Sequence, residues 1–357
     1  MSASAAALLA LLCAAQDPRP IAVRVLTRDH PTTAQVRGPR SVVVELAAGR
    51  LLVDGKPAER LALPRAVWTV LLPGMPARAL EGALAVRAEG TELSFVVAMP
   101  LEAYVVEAIS SEMAYTAPRE ALRAQAIVSR SYALAGPRRH PDADVCDLAH
   151  CQALGLAASP EHRRAAREAA RSTAGLVLRL ASGAIARPPF HSACGGHTGD
   201  PRELFGGEDG TGAAAVADPG CVARWEAQVP ASSFAAVTAR LLGAHTGAAE
   251  LRLERGAGGF AARVVARGTG RAASGDALAR ALDEALGWGQ VRSSRLTLER
   301  MDGGDVRVRG SGFGHGVGLC QAGAVRMARE GANAEEILRR FFPRAWVLGA
   351  GSPPLRP

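Results

Sequence analysis

The hydrophobic rhythm of this chain changes at Pro100, and the change separates a β-rich stretch from one in which helices dominate. Before it, apolar runs at 21–26, 41–46, 68–72, 84–87 and 93–97 are short, rich in β-branched residues and divided by Gly, Asp or Pro. Such runs predict strands, and their spacing suits a small antiparallel sheet or barrel. After Pro100, Leu101, Tyr104, Val105, Ala108 and Ile109 recur at the spacing of one helix face. A second helix is expected up to Leu134, with Thr116 as N-cap, Pro118 in its first turn, Glu120 near the positive end of its dipole and a stop before Gly136-Pro137. A third over 161–173 leads into a strand at 175–180. Between 222 and 305, helical runs (232–242, 275–286) and strand-like runs (251–253, 261–266) carry no motif and read as an insertion. The expected fold is therefore α+β: an N-terminal antiparallel β-subdomain (20–99) packed on a mixed α/β core (100–221), the insertion (222–305), and a glycine-rich strand with helices (306–347) that completes the core.

Net charge is +8, which favours polyanionic partners, but the arginines are scattered and no aromatic residues interleave with them. Nucleic acid is therefore not an expected partner. Residues 1–15 form an apolar run that ends in small residues and is too short to span a bilayer. They read as a signal peptide cleaved near Ala15, which places the protein in the periplasm or cell envelope. No later run reaches transmembrane length, so no membrane-spanning segment is expected in the mature chain. Loss of Cys13 with the signal leaves Cys146, Cys151, Cys194, Cys221 and Cys320, an odd number that cannot all pair internally. A metal site, one disulfide and one buried thiol would satisfy that arithmetic.

Four constellations could carry chemistry. At about 100° per residue, Glu112 falls in the middle of the arc made by Leu101, Tyr104, Val105 and Ala108. A carboxyl there is partly desolvated, which favours the neutral form that a general acid needs. The alternative is a glutamate that ends its helix or pairs with an arginine such as Arg130. Glu102 lies at the edge of the arc and Glu107 well outside it, as ordinary surface carboxylates do. His140, Cys146 and Cys151, with His150 beside them, offer soft ligands of the kind zinc prefers, or else a Cys146–Cys151 disulfide. His191-Ser-Ala-Cys-Gly-Gly-His-Thr198 offers either a thiol nucleophile at Cys194 or a tight turn with Cys194 paired to Cys221. The run Gly310 to Gly318 lacks the lysine of a phosphate loop. Alternating glycines in an extended strand would leave one face bare for another backbone or a flat ligand, with His315 as a ligand contact or a packed structural residue.

Together, Pro100-Leu-Glu-Ala-Tyr-Val-Val-Glu-Ala-Ile-Ser-Ser-Glu-Met113, Pro118-Arg-Glu-Ala-Leu-Arg-Ala-Gln-Ala-Ile-Val-Ser-Arg-Ser-Tyr132, the His191–Thr198 turn and Gly312-Phe-Gly-His-Gly-Val-Gly-Leu-Cys-Gln321 resemble the SpoIID/LytB family, the stage II sporulation protein D and amidase-enhancer group. The resemblance implies a SpoIID-type catalytic core and a lytic transglycosylase acting on peptidoglycan glycan strands stripped of stem peptides. It places the catalytic glutamate at Glu112 and a structural Zn2+ on His140, Cys146 and Cys151. Substrate contacts would come from Arg123, Arg130, Gly195, Gly196, His315 and Gln321, with Gly312, Gly314 and Gly316 shaping the groove. A cell-wall amidase is the expected protein partner. Two other readings are a non-catalytic wall-binding module that enhances an amidase, and a hydrolase that depends on Cys194. The sequence departs from the family at Ala114, where many relatives have proline, and in the 222–305 insertion.

Overall fold

The computed structural model of the protein describes residues 19–136, 138–155, 159–207, 210–243 and 245–352. The expected signal at 1–15, with Cys13, lies outside them. The fold is α+β, as the change of rhythm at Pro100 predicts, and no helix among the described residues is long and apolar enough to cross a membrane. Two compact units share the chain: one holds residues up to 112 together with 137–164, and the other holds 113–136 together with 165 onwards.

The first unit is built on strands β1 (Ile21–Val25), β2 (Thr33–Arg37), β3 (Ser41–Ala47), β4 (Arg50–Val53), β5 (Lys56–Ala58), β6 (Leu61–Leu71), β7 (Arg78–Glu89), β8 (Glu92–Met99) and β9 (Val145–Cys146). They form one sheet in the order β5-β4-β3-β2-β6-β7-β8-β1-β9. Neighbours are antiparallel except β1 and β9, where Val145 and Cys146 run parallel to Val23 and Arg24. Alternate residues of β1 are buried, the pattern of a sheet with one covered face. Helix α1 (Leu101–Glu112) starts straight after Pro100. Every residue from Tyr104 to Ser110 is buried, so α1 is enclosed on all sides rather than along one stripe. That enclosure overturns the surface expectation for Glu107, which is buried and ion-paired with Arg163.

The second unit opens with α2 (Arg119–Leu134). Its N-cap is Pro118, not Thr116; the fixed proline φ suits the entry to a helix, and no side chain caps it. There follow α3 (Pro160–Ser172), inside which the units divide, then β10 (Leu176–Leu180), β11 (Phe190–His191) and α4 (Pro201–Phe205). The stretch expected as an insertion contains β12 (Arg224–Val229), α5 (Ala231–Leu242), β13 (Leu251–Arg255), β14 (Ala261–Ala266), β15 (Ala272–Ser274), α6 (Gly275–Leu286) and β16 (Leu296–Arg300). The chain closes with β17 (Val306–Ser311), β18 (Leu319–Cys320), α7 (Gln321–Arg329), α8 (Ala334–Phe341) and β19 (Ala345–Gly349). The sheets are β12-β17-β16, β13-β14-β15 and the pairs β10-β19 and β11-β18. Val229, Phe234, Leu278, Leu282 and Val308 belong to one apolar cluster within 225–308, so that stretch has a core of its own.

Helix α2 packs on α7, α8 and β10, and its Arg130 is fully buried. The guanidinium donates to the carbonyls of Ala170 (3.2 Å), in the last turn of α3, and Leu176 (3.0 Å), the first residue of β10. A cation is favoured there because the last carbonyls of a helix lack intrahelical partners and carry the negative end of its dipole. Arg130 is thus a buried tie between elements, not a charge presented to a substrate. Arg130→Met, of similar length but without donors, is expected to lower unfolding free energy by about 1–3 kcal/mol by removing the guanidinium that ties these two carbonyls together. Urea denaturation would measure the loss.

Candidate active site and metal centre

Glu112 is the last residue of α1 and is half-buried. Its Oε1 accepts a 2.8 Å hydrogen bond from the backbone N–H of Ala153, forty-one positions along the chain. The preceding Ser111 repeats the pattern, its Oγ accepting from the N–H of Gly155 (2.6 Å). Further back on α1, the Tyr104 hydroxyl donates to Oε1 of the fully buried Gln152 (2.7 Å). The end of α1 is therefore stitched to residues 152–155, and one carboxylate oxygen of Glu112 is fixed by that stitching.

The loop that delivers those residues contains the His/Cys constellation. Its path is set at the sheet edge by charge. Buried Asp144 accepts from the Ala22 amide (2.9 Å) and pairs with Arg19 (2.8 Å), while Asp142 pairs with Arg24 (2.9 Å) and Arg87 (3.1 Å). Burial would raise the Asp144 pKa, but Arg19 and the Ala22 amide outweigh it and hold the carboxyl below its ordinary value. The two-residue strand β9 then fixes Cys146. In the result, ligand atoms of His140, Cys146, His150 and Cys151 all lie within 4.8 Å of one another. His140 Nε2 is 3.4 Å from Cys151 Sγ, and His150 Nε2 is 3.3 Å from Cys146 Sγ. Both cysteines are unpaired, so the Cys146–Cys151 disulfide is not formed. A hydrogen bond from the Cys146 thiol, helped by His140, pulls Cys151 down to about 5. Two thiols and two imidazoles at these separations can hold a metal ion. The sequence points to three of the ligands; the structure adds His150 as a fourth.

The second unit brings the two glycine-bearing segments together. β11 pairs with β18, and Ala193 and Phe313 exchange both backbone hydrogen bonds (2.7 and 3.1 Å). Gly195 has φ +69°, and a Cβ there would lie 2.5 Å from the Gly312 nitrogen, so only glycine admits this approach. The 310–318 run departs from its expected shape: β17 ends at Ser311, and glycines 312, 314, 316 and 318 all have positive φ. They form a winding loop, not an extended strand. Nor do the bare positions await a flat ligand. A Cβ at Gly310 would strike the Trp225 ring at 2.2 Å, and one at Gly316 would strike Phe260 at 2.1 Å.

His315 accepts from the Val317 N–H at Nδ1 (3.0 Å), while His191 donates from Nδ1 to the Val317 carbonyl (3.0 Å). Burial lowers His315 to about 4 and His191 to about 3, so both rings are neutral at physiological pH. Their rings stand 5.6 Å apart, and His315 also meets Phe205 edge-on. Gln321 begins α7, is buried, and donates to Gln125 Oε1 (3.4 Å). Arg123 pairs with Glu120 (2.9 Å), whose other oxygen takes the Ala334 amide at the start of α8 (2.9 Å). Cys194 is fully buried, and a hydrogen bond to Cys221 with burial pushes its thiol up to about 12. A nucleophile needs a low pKa and access, and this thiol has neither. Sequence reading missed an open cleft of about 330 Å³ in which Arg224, Arg255, Arg295 and Arg309 meet Gly310 and Ser311. Those arginines are scattered in sequence, so no charge run announces them, and their convergence suits anionic groups.

Removing one hydroxyl tests the stitching at Glu112. Tyr104→Phe strands Gln152 Oε1 in a buried setting, at a cost of about 1–3 kcal/mol. Hydrogen exchange at the Ala153 amide is expected to accelerate in that variant. Unchanged protection at Ala153 would show that Gln152 does not support the loop.

A relative outside this chain's own geometry shares much of its length. An uncharacterized protein of Brachyspira hyodysenteriae is 26% identical over 251 residues, which cover 68% of this chain. They cover 65% of that relative, just under two thirds of its length. Residues 89–180 match the model of the SpoIID family, described as stage II sporulation protein. The matched segment holds Glu112, the His140–Cys151 loop and Gln152–Gly155, so the stretch that builds this carboxylate and its metal-competent loop is a SpoIID domain, of a family associated with the processing of cell-wall peptidoglycan.

Proposed function

We propose that the protein is a peptidoglycan lytic transglycosylase of the periplasm or cell envelope. It cuts the bond between N-acetylmuramic acid and N-acetylglucosamine in strands stripped of their stem peptides. The observation that carries this reading is the Glu112 carboxyl, half-buried at the end of an enclosed helix with one oxygen held by the Ala153 amide. A fixed oxygen leaves the group a defined direction in which to give and take a proton. Glu112 protonates the glycosidic oxygen as the C1–O bond breaks. The muramyl C6 hydroxyl attacks C1, and the Glu112 carboxylate takes the hydroxyl proton, closing a 1,6-anhydro ring and restoring the acid. Because the substrate supplies the nucleophile, one carboxyl serves where a glycoside hydrolase ordinarily uses two.

His140, Cys146, His150 and Cys151 would hold a Zn2+ ion, whose part is structural: it would fasten the loop on which Ala153 rides. A cell-wall amidase, which strips stem peptides, fits as the partner that prepares the substrate.

Glu112→Gln keeps the acceptor for the Ala153 amide but cannot cycle a proton. It is expected to fold normally, to bind peptide-free glycan and to lose about 10²–10⁴-fold in kcat. Mass spectrometry of the digest reads out 1,6-anhydro products. Release of those products by the variant at the wild-type rate rules out Glu112 as the acid. If wild type and variant both bind glycan and neither releases product, the chain is a binding module.

A further inference from the structure

Four buried groups in the second unit are used by nothing above. Cys194 sits in the turn after β11, Asp218 and Cys221 flank Pro219-Gly220, and Cys320 is the N-cap of α7. Their exposures are 0%, 2%, 5% and 0%, and one ligand atom from each lies within 4.8 Å of all the others. We propose that Cys194, Cys221, Cys320 and Asp218 form a structural zinc site, separate from the His140–Cys151 cluster and independent of the catalytic reading.

The separations fit an ion. Thiolates about 2.3 Å from a tetrahedral zinc lie about 3.8 Å from one another, and an oxygen at about 2.0 Å lies about 3.5 Å from each of them. Cys221 Sγ and Cys320 Sγ are 3.7 Å apart, and Cys194 Sγ is 3.5 Å from Asp218 Oδ2. A disulfide needs about 2.05 Å, and any one disulfide would strand the third thiol beside a buried carboxylate. The surroundings also suit anionic sulfur. The amides of Cys194 and Gly323 both donate to Cys320 Sγ (3.3 Å each), the latter from the first turn of α7. Arg326 takes Asp218 Oδ1 (2.8 Å) and leaves Oδ2 turned toward the thiols.

A glycine inside a helix supports the same assignment. Gly323 costs α7 about 1 kcal/mol relative to alanine. A Cβ at that position would stand 2.3 Å from Asp218 Oδ2, so the glycine makes room for the carboxylate. The site would clamp β11, the 218–221 turn and β18 to the start of α7. β11 and β18 share only two residue pairs, too few to hold their register by backbone bonding alone.

Metal analysis of the Cys146→Ser/Cys151→Ser chain tests the proposal, because that variant leaves all four groups intact. The expected result is about one equivalent of zinc per chain, and thiolate-to-cobalt charge-transfer absorption when Co2+ replaces it. Adding Cys221→Ser should abolish both signals. A double variant that folds and binds no zinc, or whose non-reduced digest contains Cys221 linked to Cys320, overturns the proposal. Should the double variant not fold, anomalous scattering at the zinc edge from wild-type crystals decides. A peak bonded to the three sulfurs supports the site, and an empty cluster overturns it.

Discussion

The Glu112 carboxylate is held by a backbone amide, that of Ala153, and the amide is only as firm as the loop that bears it. Between His140 and Gly155 the chain has a single two-residue strand for regular structure, so stiffness has to be borrowed. The sheet lends some through Arg19, Arg24 and Arg87, which draw Asp142 and Asp144 to its edge. Helix α1 lends more through Tyr104 and Ser111. The thiol and imidazole cluster sits between these two anchorages, where an ion would close the remaining slack. The sheet therefore supports the carboxylate indirectly, through the loop that it anchors at its edge.

What could be read from the residues follows from the range of the interactions involved. Helix α1 and strands β1, β3, β7 and β8 announce themselves by local periodicity, and the structure puts them where those patterns lie. Strands at 33–37, 50–53 and 56–58 do not: the first alternates but with only Ala34 and Val36 on its apolar side, and the other two are short, do not alternate and take their pairing from neighbouring strands. Glu107 misleads for a related reason. A helical wheel assumes one wet face, and α1 has none around that residue, where Arg163 answers the charge instead. Glu112 and the His140–Cys151 loop were legible as a motif set, but Ala153 was not, because a backbone donor leaves no trace in residue identity.

The glycines show the opposite limit. Alternation correctly signals that something lies close to the backbone at 310–318, but not what it is. Trp225, Phe260 and the 193–195 backbone fill the slots, each from far away in sequence. In the same way Arg130, expected as a partner of Glu112 or a substrate contact, is taken up by the carbonyls of Ala170 and Leu176. Buried polar groups of this kind are specified by their partners, and those partners are visible only after folding.

The way the two units share the chain bears on how such a domain can be inherited. The chain changes unit at 112/113, 136/137 and 164/165, and all three crossings fall within the 89–180 segment that matches the family. That segment contributes β8 and β9 to a sheet begun at Ile21, α1 to the same unit, and α2 and β10 to a unit that runs on to β19. It is therefore not a cassette that recombination could cut out and splice elsewhere. Its flanks must travel with it, whereas length can be gained freely where a stretch such as 225–308 brings its own core.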